Sequence, residues 1–148
     1  MSKMIAFLGR FCLSAIFIIS GVTQIIHFRE AQLEVMRVFT EWLVWGMGNW
    51  KEAPIEVAID WSAAVLVVGI IFQLLGGLLL ILGFKVRWGA FLLLIFTALA
   101  SVMFHNFWTL QGPAKVFELI MFLKNFSIIG GLLLVIAFGT GARKEPRT

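Results

Sequence analysis

Charged residues are scarce in this sequence. Asp, Glu, Lys and Arg together make up 14% of its 148 residues, whereas a soluble domain carries roughly a quarter of its residues as charges. Hydrophobic residues reach 61%, and the mean hydropathy is +1.00. This composition excludes an ordinary soluble domain and predicts that the lipid bilayer is the protein's first partner.

Cysteine is almost absent, since Cys12 stands alone. A lone thiol cannot form an internal disulfide, so a dithiol relay within the chain is excluded. The sequence also lacks H-E-x-x-H metal spacing, a glycine-rich phosphate loop and a Ser/His/Asp arrangement. We therefore predict no metal site and no catalytic residue. The net charge of +4 does not indicate nucleic acid, because the basic residues lie mostly at the ends of apolar runs.

Four long apolar runs are present, at residues 5–26, 61–84, 88–104 and 116–138. About 20 helical residues cross a bilayer core, and backbone exposed to lipid must form its hydrogen bonds within its own segment. The runs lack the alternation of membrane strands. The sequence predicts an all-α fold with one domain over residues 1–148. That domain is an integral membrane four-helix bundle with up-down-up-down topology.

The connection between the first two runs predicts an extra helix over residues 28–45. Apolar residues recur there at steps of three and four, and charged residues occupy the opposite face. The apolar positions are Phe28, Val35, Met36, Phe39, Trp42 and Leu43, and the charged positions are Glu30, Glu34, Arg37 and Glu41. We expect an amphipathic helix that lies on the outer surface, at the level of the lipid headgroups.

The basic residues also predict the topology. The first run is too long for a cleaved signal peptide and contains Arg10. Lys85 and Arg87 follow the second run, and further basic residues occupy the tail. The positive-inside rule then places both termini in the cytoplasm of a prokaryote, with the chain crossing its inner membrane four times.

Polar side chains within or next to the apolar runs are the candidate site, because each is costly in a membrane. If they converge in the outer half of the bundle, they suit a carbonyl-bearing ligand such as a quinone. Lys and His would donate hydrogen bonds, amides would orient the ring, and aromatic rings would stack on it. The candidates are Gln24, Gln73, His105, Asn106, Trp108, Glu118, Lys124 and Asn125.

Two alternatives remain for these residues. They could form a structural hydrogen-bond network that fixes the helix register, as in many small membrane bundles. Haem held between His27 and His105 is disfavoured, because two histidines at interfacial depth are more often headgroup-level residues. We expect Lys124 to face the bundle and to have a partner, since a buried lysine costs about 2–3 kcal/mol at such depth.

Several short pieces, in this order and spacing, resemble the DoxX-like family of small membrane proteins. They are Gly9-Arg10, Ser20-Gly21, Leu74-Leu75-Gly76-Gly77 through Gly83 with Lys85 and Arg87, Phe104-His105-Asn106-Phe107-Trp108, and Leu123-Lys124-Asn125 leading to Gly130-Gly131. The resemblance implies a four-helix membrane protein similar to a subunit of an archaeal thiosulfate:quinone oxidoreductase. It therefore implies a membrane or peripheral redox protein as partner.

The sequence departs from that family at two positions. Gln73 stands where glutamate is common and Asn106 where aspartate is common, which argues against proton-coupled chemistry. Two hypotheses follow. In the first, the chain is an accessory, quinone-linked subunit that needs a partner for its electrons. In the second, it is a non-enzymatic scaffold or lipophile-binding protein whose polar cluster is structural. Self-association into a homo-oligomer is compatible with both.

Overall fold

The computed structural model describes residues 2–47 and 55–139, with side chains for residues 3–43 and 61–139. All regular structure in these ranges is helical. The helices are α1 (Ser2–Ile26), α2 (Phe28–Met47), α3 (Ile55–Leu82), α4 (Val86–Phe104), a 3₁₀ turn (Phe107–Thr109) and α5 (Gly112–Phe138). The predicted all-α class is confirmed.

The four long helices α1, α3, α4 and α5 form an antiparallel bundle in which each packs mainly on its neighbour in this order. All four are long and apolar enough to cross a membrane. The four helices do not close evenly into a ring, because α1 and α5 have few contacts with each other. The helix α5 is correspondingly the least covered, with 6% of its apolar span buried.

Glycines allow the close approach of α3 to both of its neighbours. A methyl group on Gly76 would lie 2.7 Å from Leu93 Cγ of α4 and 3.0 Å from the Gly89 carbonyl oxygen. A methyl group on Gly77 would lie 2.8 Å from Ile18 Cγ1 of α1. The backbones of α1, α3 and α4 therefore pack closely together, as is common among membrane helices.

The helix boundaries differ from the prediction where turn chemistry decides them. Gly83 has φ 70° and Lys85 has φ 43°, so α3 ends at Leu82 and not at residue 84. The start of α5 lies at Gly112 and not at residue 116, because Pro113 suits the first turn of a helix. The basic tail residues used for the topology prediction lie outside the described residues.

The predicted amphipathic helix exists as α2, and it packs on the bundle. Val35 and Val38 are buried, with Val35 in a cluster with Leu66 and Ile70 of α3. The Trp42 indole donates a hydrogen bond to the Met103 carbonyl oxygen at 3.1 Å. The charged positions Glu30, Glu34, Arg37 and Glu41 are exposed, as the sequence predicted.

The two ends of the bundle differ in chemistry. We call the end that carries Arg10, Lys85 and Arg87 the basic end. A methyl group on Gly83 would lie 3.5 Å from Arg10 Nη2, and one on Gly139 would lie 3.2 Å from Arg87 Nε. Residues in or next to all four long helices therefore come together at the basic end. The opposite, aromatic end carries Trp42, His105 and Trp108.

Candidate functional site

The structure divides the predicted site residues into two groups at different depths. Gln73 lies ten residues from Gly83, about 15 Å from the basic end at 1.5 Å per residue. His105 lies nineteen residues from Val86, about 28 Å from that end. The structure therefore does not bring all eight residues together.

The deeper group centres on Gln73, whose side chain is completely buried. Its Nε2 donates to Gln24 Oε1 at 2.7 Å and to the Gly69 carbonyl oxygen at 3.3 Å. Its Oε1 is buried and has no hydrogen-bond partner. An unpaired buried carbonyl costs about 1–3 kcal/mol, so this atom needs a donor that the described side chains do not supply.

The orientation of the Gln73 amide follows from its neighbours. Two acceptors, the Gly69 carbonyl and the Gln24 side chain, lie on the Nε2 side. Exchanging the nitrogen and oxygen would set Oε1 against the Gly69 carbonyl oxygen, an electrostatic repulsion. The free hydrogen-bonding capacity of Gln73 is therefore that of an acceptor.

Gln73 lines a cavity of about 130 Å³ that we call the mid-bundle cavity. Its walls come from all four long helices, and Asn125 on α5 is the other predicted site residue among them. The lining residues are Ile16, Phe17, Ser20, Gln73, Phe96, Thr97, Ala100, Asn125 and Ile128. Because α1 and α5 touch each other only sparsely, two walls of the cavity diverge and leave it accessible from the side of the bundle.

Lys124 does not face the bundle interior, which corrects the prediction. The residue is exposed, and its Nζ contacts Met121 Sδ at 3.4 Å. Gly131 lies seven residues further along α5, so it shares a helical face with Lys124, and it packs against Leu13 of α1. Lys124 thus projects from the side of α5 that faces α1. The residue is therefore exposed beside the gap that α1 and α5 leave between them.

The second group lies at the aromatic end and is charged. His105 Nδ1 lies 2.7 Å from Glu118 Oε2, and the two side chains are 22% and 25% exposed. With the carboxylate ionised, Nδ1–H donates and the second ring nitrogen is left for another partner. This pair joins the end of α4 to the first turns of α5, and it lies where water reaches it.

Asn106, Trp108 and Glu118 line a larger cavity of about 420 Å³ beside this pair. Its other wall belongs to α2, through Arg37, Glu41 and Trp42. The Trp108 ring packs edge-on against Trp42 at 6.3 Å between ring centroids, and against Phe122 at 6.4 Å. Gln24 and Gln73 are not among its lining residues, so it is a separate site.

The rim of the larger cavity carries a charge network that the sequence only partly indicated. Arg37 donates to the carboxylates of Glu34 and Glu41 along the exposed face of α2. The hydrogen bonds from Arg37 lower the pKa of Glu34 below its ordinary value. This network has two carboxylates and one cation, and its side chains are about half exposed.

Sequence reasoning missed Ser20 and Thr97 as cavity residues. Thr97 Oγ1 donates to the Leu93 carbonyl, and Ser101 Oγ donates to the Thr97 carbonyl. The signal was the four-residue spacing of Thr97 and Ser101 in α4, which places both on one face. Among the described residues, no group of three or more His, Cys, Asp or Glu side chains comes together as metal ligands would.

Comparison with known proteins identifies the chain's relatives. The sequence profile of the DoxX family matches residues 5–106. Inner membrane protein YphA of Escherichia coli (strain K12) is 33% identical over 76 residues, which are 51% of this chain. The same alignment covers 54% of the relative, so the chain spans about half of the length of that protein. No solved structure matches. With a family match that covers α1 to α4, and with four helices able to cross a membrane, the chain belongs to the DoxX family of multi-pass membrane proteins.

Proposed function

We propose that this chain is an accessory subunit of a quinone-linked redox complex, and that it holds the quinol head group in the mid-bundle cavity. The observation that carries the proposal is the buried, unpaired Oε1 of Gln73, a residue that lines this cavity. A lipophile dissolved in the bilayer can reach such a site without passing through water.

The size of the cavity suits one ring. Its volume of about 130 Å³ is close to that of apolar protein cavities of about 150 Å³ that bind benzene. Phe17 and Phe96 form part of the wall, with their rings edge-on at 6.2 Å. A substituted ring would place its head in the cavity, while its isoprenoid tail leaves through the gap between α1 and α5.

The hydrogen-bonding capacity of Gln73 favours the reduced form of the ligand. Both contacts of Nε2 are made within the protein, so the free atom is the acceptor Oε1. A quinol hydroxyl can donate to it, whereas a quinone carbonyl cannot. The Asn125 amide, on the opposite wall, can donate to the second oxygen of the ring. Lys124, beside the gap, lies near the path by which the ligand enters.

Electron transfer to or from the quinol requires a partner protein. The chain has one cysteine, so it cannot run a dithiol relay alone. The aromatic end, with its half-exposed charged cavity, is the surface on which we expect a peripheral redox protein to dock. We therefore expect the purified chain alone to bind the quinol without oxidising it.

The experiment is a titration of the full chain in nanodiscs with a short-chain ubiquinol and, separately, the matching ubiquinone. We expect the quinol to bind about tenfold more tightly, the value of one extra buried hydrogen bond. Gln73→Leu should reduce quinol affinity by about tenfold or more and remove the preference. The matched control is Gln32→Leu, since Gln32 bonds Ser62 away from the cavity; it should leave both affinities unchanged.

The second candidate function is a scaffold with no ligand, and one observation favours it. The Gln73–Gln24 hydrogen bond joins α3 to α1, as structural polar contacts in membranes do. If neither ring form binds and no lipophile co-purifies by mass spectrometry of organic extracts, the scaffold account stands and the quinone account fails.

For the orientation, we propose that the basic end faces the cytoplasm of a prokaryotic inner membrane. Lys85 and Arg87 at the basic end support this by the positive-inside rule, and YphA is by name an inner membrane protein. In a Cys12→Ala background, Gln111→Cys should react with an impermeant thiol reagent in intact cells. Lys85→Cys should react only after lysis. The reverse labelling would overturn the orientation.

A further inference from the structure

The described carboxylates and the basic end lie on opposite sides of the bundle. Glu30, Glu34 and Glu41 belong to α2, and Glu118 pairs with His105 near the start of α5. Arg10, Lys85 and Arg87 lie at the other end, and none of the three has an ion pair among the described residues. Arg10 Nε is in addition buried without a hydrogen-bond partner. None of the carboxylates whose side chains the structure describes supplies a countercharge to these three cations.

A cavity of about 360 Å³ lies at the basic end. Lys85 and Arg87 line it, together with the two glycines Gly83 and Gly139. Arg10 lies against Gly83, since a methyl group there would be 3.5 Å from its Nη2. Arg87 lies against Gly139 and donates to the Ala137 carbonyl at 3.4 Å. Lys85 and Arg87 therefore bring positive charge to this concave surface, and Arg10 lies next to its Gly83 wall.

The turn between α3 and α4 adds backbone donors to this surface. The cap position of α4 is Lys85, whose side chain makes no capping hydrogen bond. The first N–H groups of α4 then point toward the cavity end of the helix and carry its positive dipole. These donors reinforce the field of the cations and match the oxygen atoms of a phosphate group.

The flanks of the cavity are apolar and exposed. Trp88 and Phe138 line it and are 65% and 71% exposed, and Phe84 beside it is 61% exposed. In a bilayer, exposed aromatic rings at the level of basic side chains lie where acyl chains meet headgroups. A ligand that carries both a phosphate and acyl chains satisfies both parts of this surface.

We propose that the basic end binds the phosphate group of an anionic phospholipid, with Lys85, Arg87 and Arg10 as its cationic partners. Free phosphate shares the chemistry of the head group, but it would leave the exposed aromatic flank without a contact. The site is independent of the quinol proposal, since it lies about 15 Å away along the bundle axis.

The test is native mass spectrometry of the full chain in detergent with equal amounts of phosphatidylglycerol and phosphatidylcholine, at low salt. We expect phosphatidylglycerol adducts to be favoured by about fivefold. Lys85→Gln should reduce this preference to about one third or less, and Lys85→Arg should restore it. Lys115→Gln is the matched control, because it removes an exposed cation from the aromatic end and should change nothing.

A second arm separates the sources of the phosphate. Inorganic phosphate at about 100-fold excess over the lipid should displace little of the bound lipid. Full displacement would overturn the lipid assignment in favour of a phosphate site. Equal adducts of both lipids, or an unchanged preference in both Lys85→Gln and Arg87→Gln, would overturn the site. If Lys85→Gln fails to fold, Arg87→Gln decides alone.

Discussion

The mid-bundle cavity and the aromatic end solve the problem of polar groups in a membrane protein in different ways. The polar side chains that line the mid-bundle cavity are amides and hydroxyls, and Gln73 is fully buried. At the aromatic end two titratable side chains, His105 and Glu118, pair with each other and remain about a quarter exposed. The titratable pair is thus partly exposed at one end of the bundle, whereas the amides and hydroxyls line a cavity within it.

This difference teaches which region is built for stability and which for a ligand. His105 Nδ1 and Glu118 Oε2 lie 2.7 Å apart, so this pair stabilises the α4–α5 connection without any other molecule. Gln73 has an unsatisfied acceptor, so its side chain costs free energy until a donor arrives. The mutations below test this contrast, from the largest expected effect on stability to the smallest.

Breaking the pair at the aromatic end should have the largest effect. His105→Phe leaves the Glu118 carboxylate without its donor, and we expect a loss of about 1–2 kcal/mol in the free energy of unfolding. A double-mutant cycle with Glu118→Gln, followed by thermal melting in detergent, should give a coupling energy of about 1 kcal/mol. Additive single effects would show that the pair does not contribute as drawn.

Removing the mid-bundle amide should change stability much less. Gln73→Leu keeps a similar volume and deletes the unpaired carbonyl, which offsets the lost hydrogen bond to Gln24, so we expect a change within about 1 kcal/mol in the ligand-free protein. A loss of more than about 2 kcal/mol would make this amide structural and erase the contrast with the aromatic end.

Lys124 should be nearly silent in stability, because its side chain is exposed beside the α1–α5 gap. For Lys124→Met we expect a change in unfolding free energy below about 0.5 kcal/mol, measured by thermal melting. The matched comparison is Leu132→Ala on the same helix, where the side chain is completely buried; it should cost about 2–5 kcal/mol. Equal costs would mean that Lys124 is in fact inside the bundle.

The ion pairs of α2 should have a small effect that depends more on pH than the others do. Arg37 lowers the folded-state pKa of Glu34, so this contribution is present above the ordinary value of 4.5 and is lost as the pH falls through the folded value. Exposed pairs contribute less than about 1 kcal/mol. Glu34→Gln should reduce the melting temperature slightly at pH 7 and by less as the pH falls below 4.5 through the folded-state pKa. High salt should also reduce the difference.

Much of the fold could be predicted, because it depends on features that a single segment carries. Run length and the lack of alternation predicted the four long helices, and the three- and four-residue spacing predicted α2. Glu30, Glu34, Arg37 and Glu41 are exposed, and Val35 is buried, as that spacing required. The helix ends at Gly83 and Gly112 were missed, since they depend on local φ angles and turn chemistry.

The site was harder to predict, because it depends on how separate helices are rotated and shifted. Gln24, Gln73 and Asn125 were correctly chosen as residues that reach the bundle interior, and the cavity adds Ser20 and Thr97 to them. Lys124 was misplaced, because its prediction rested on the cost of a lysine at that depth and not on how α5 is rotated in the bundle. His105 and Glu118 were grouped with Gln73, although the rise per residue separates them by about 13 Å along the axis.

Photo-crosslinking with an azido-substituted short-chain quinol in nanodiscs tests the central claim, that the ligand occupies the mid-bundle cavity, most directly. Peptide mapping by mass spectrometry after illumination should show label on the walls of that cavity, at Phe17, Phe96 or Ile128. Excess unlabelled quinol should compete for this label, and Gln73→Leu should lose it. Label confined to Trp42, Trp108 and Phe122, and unaffected by Gln73→Leu, would place the ligand at the aromatic end and contradict the account.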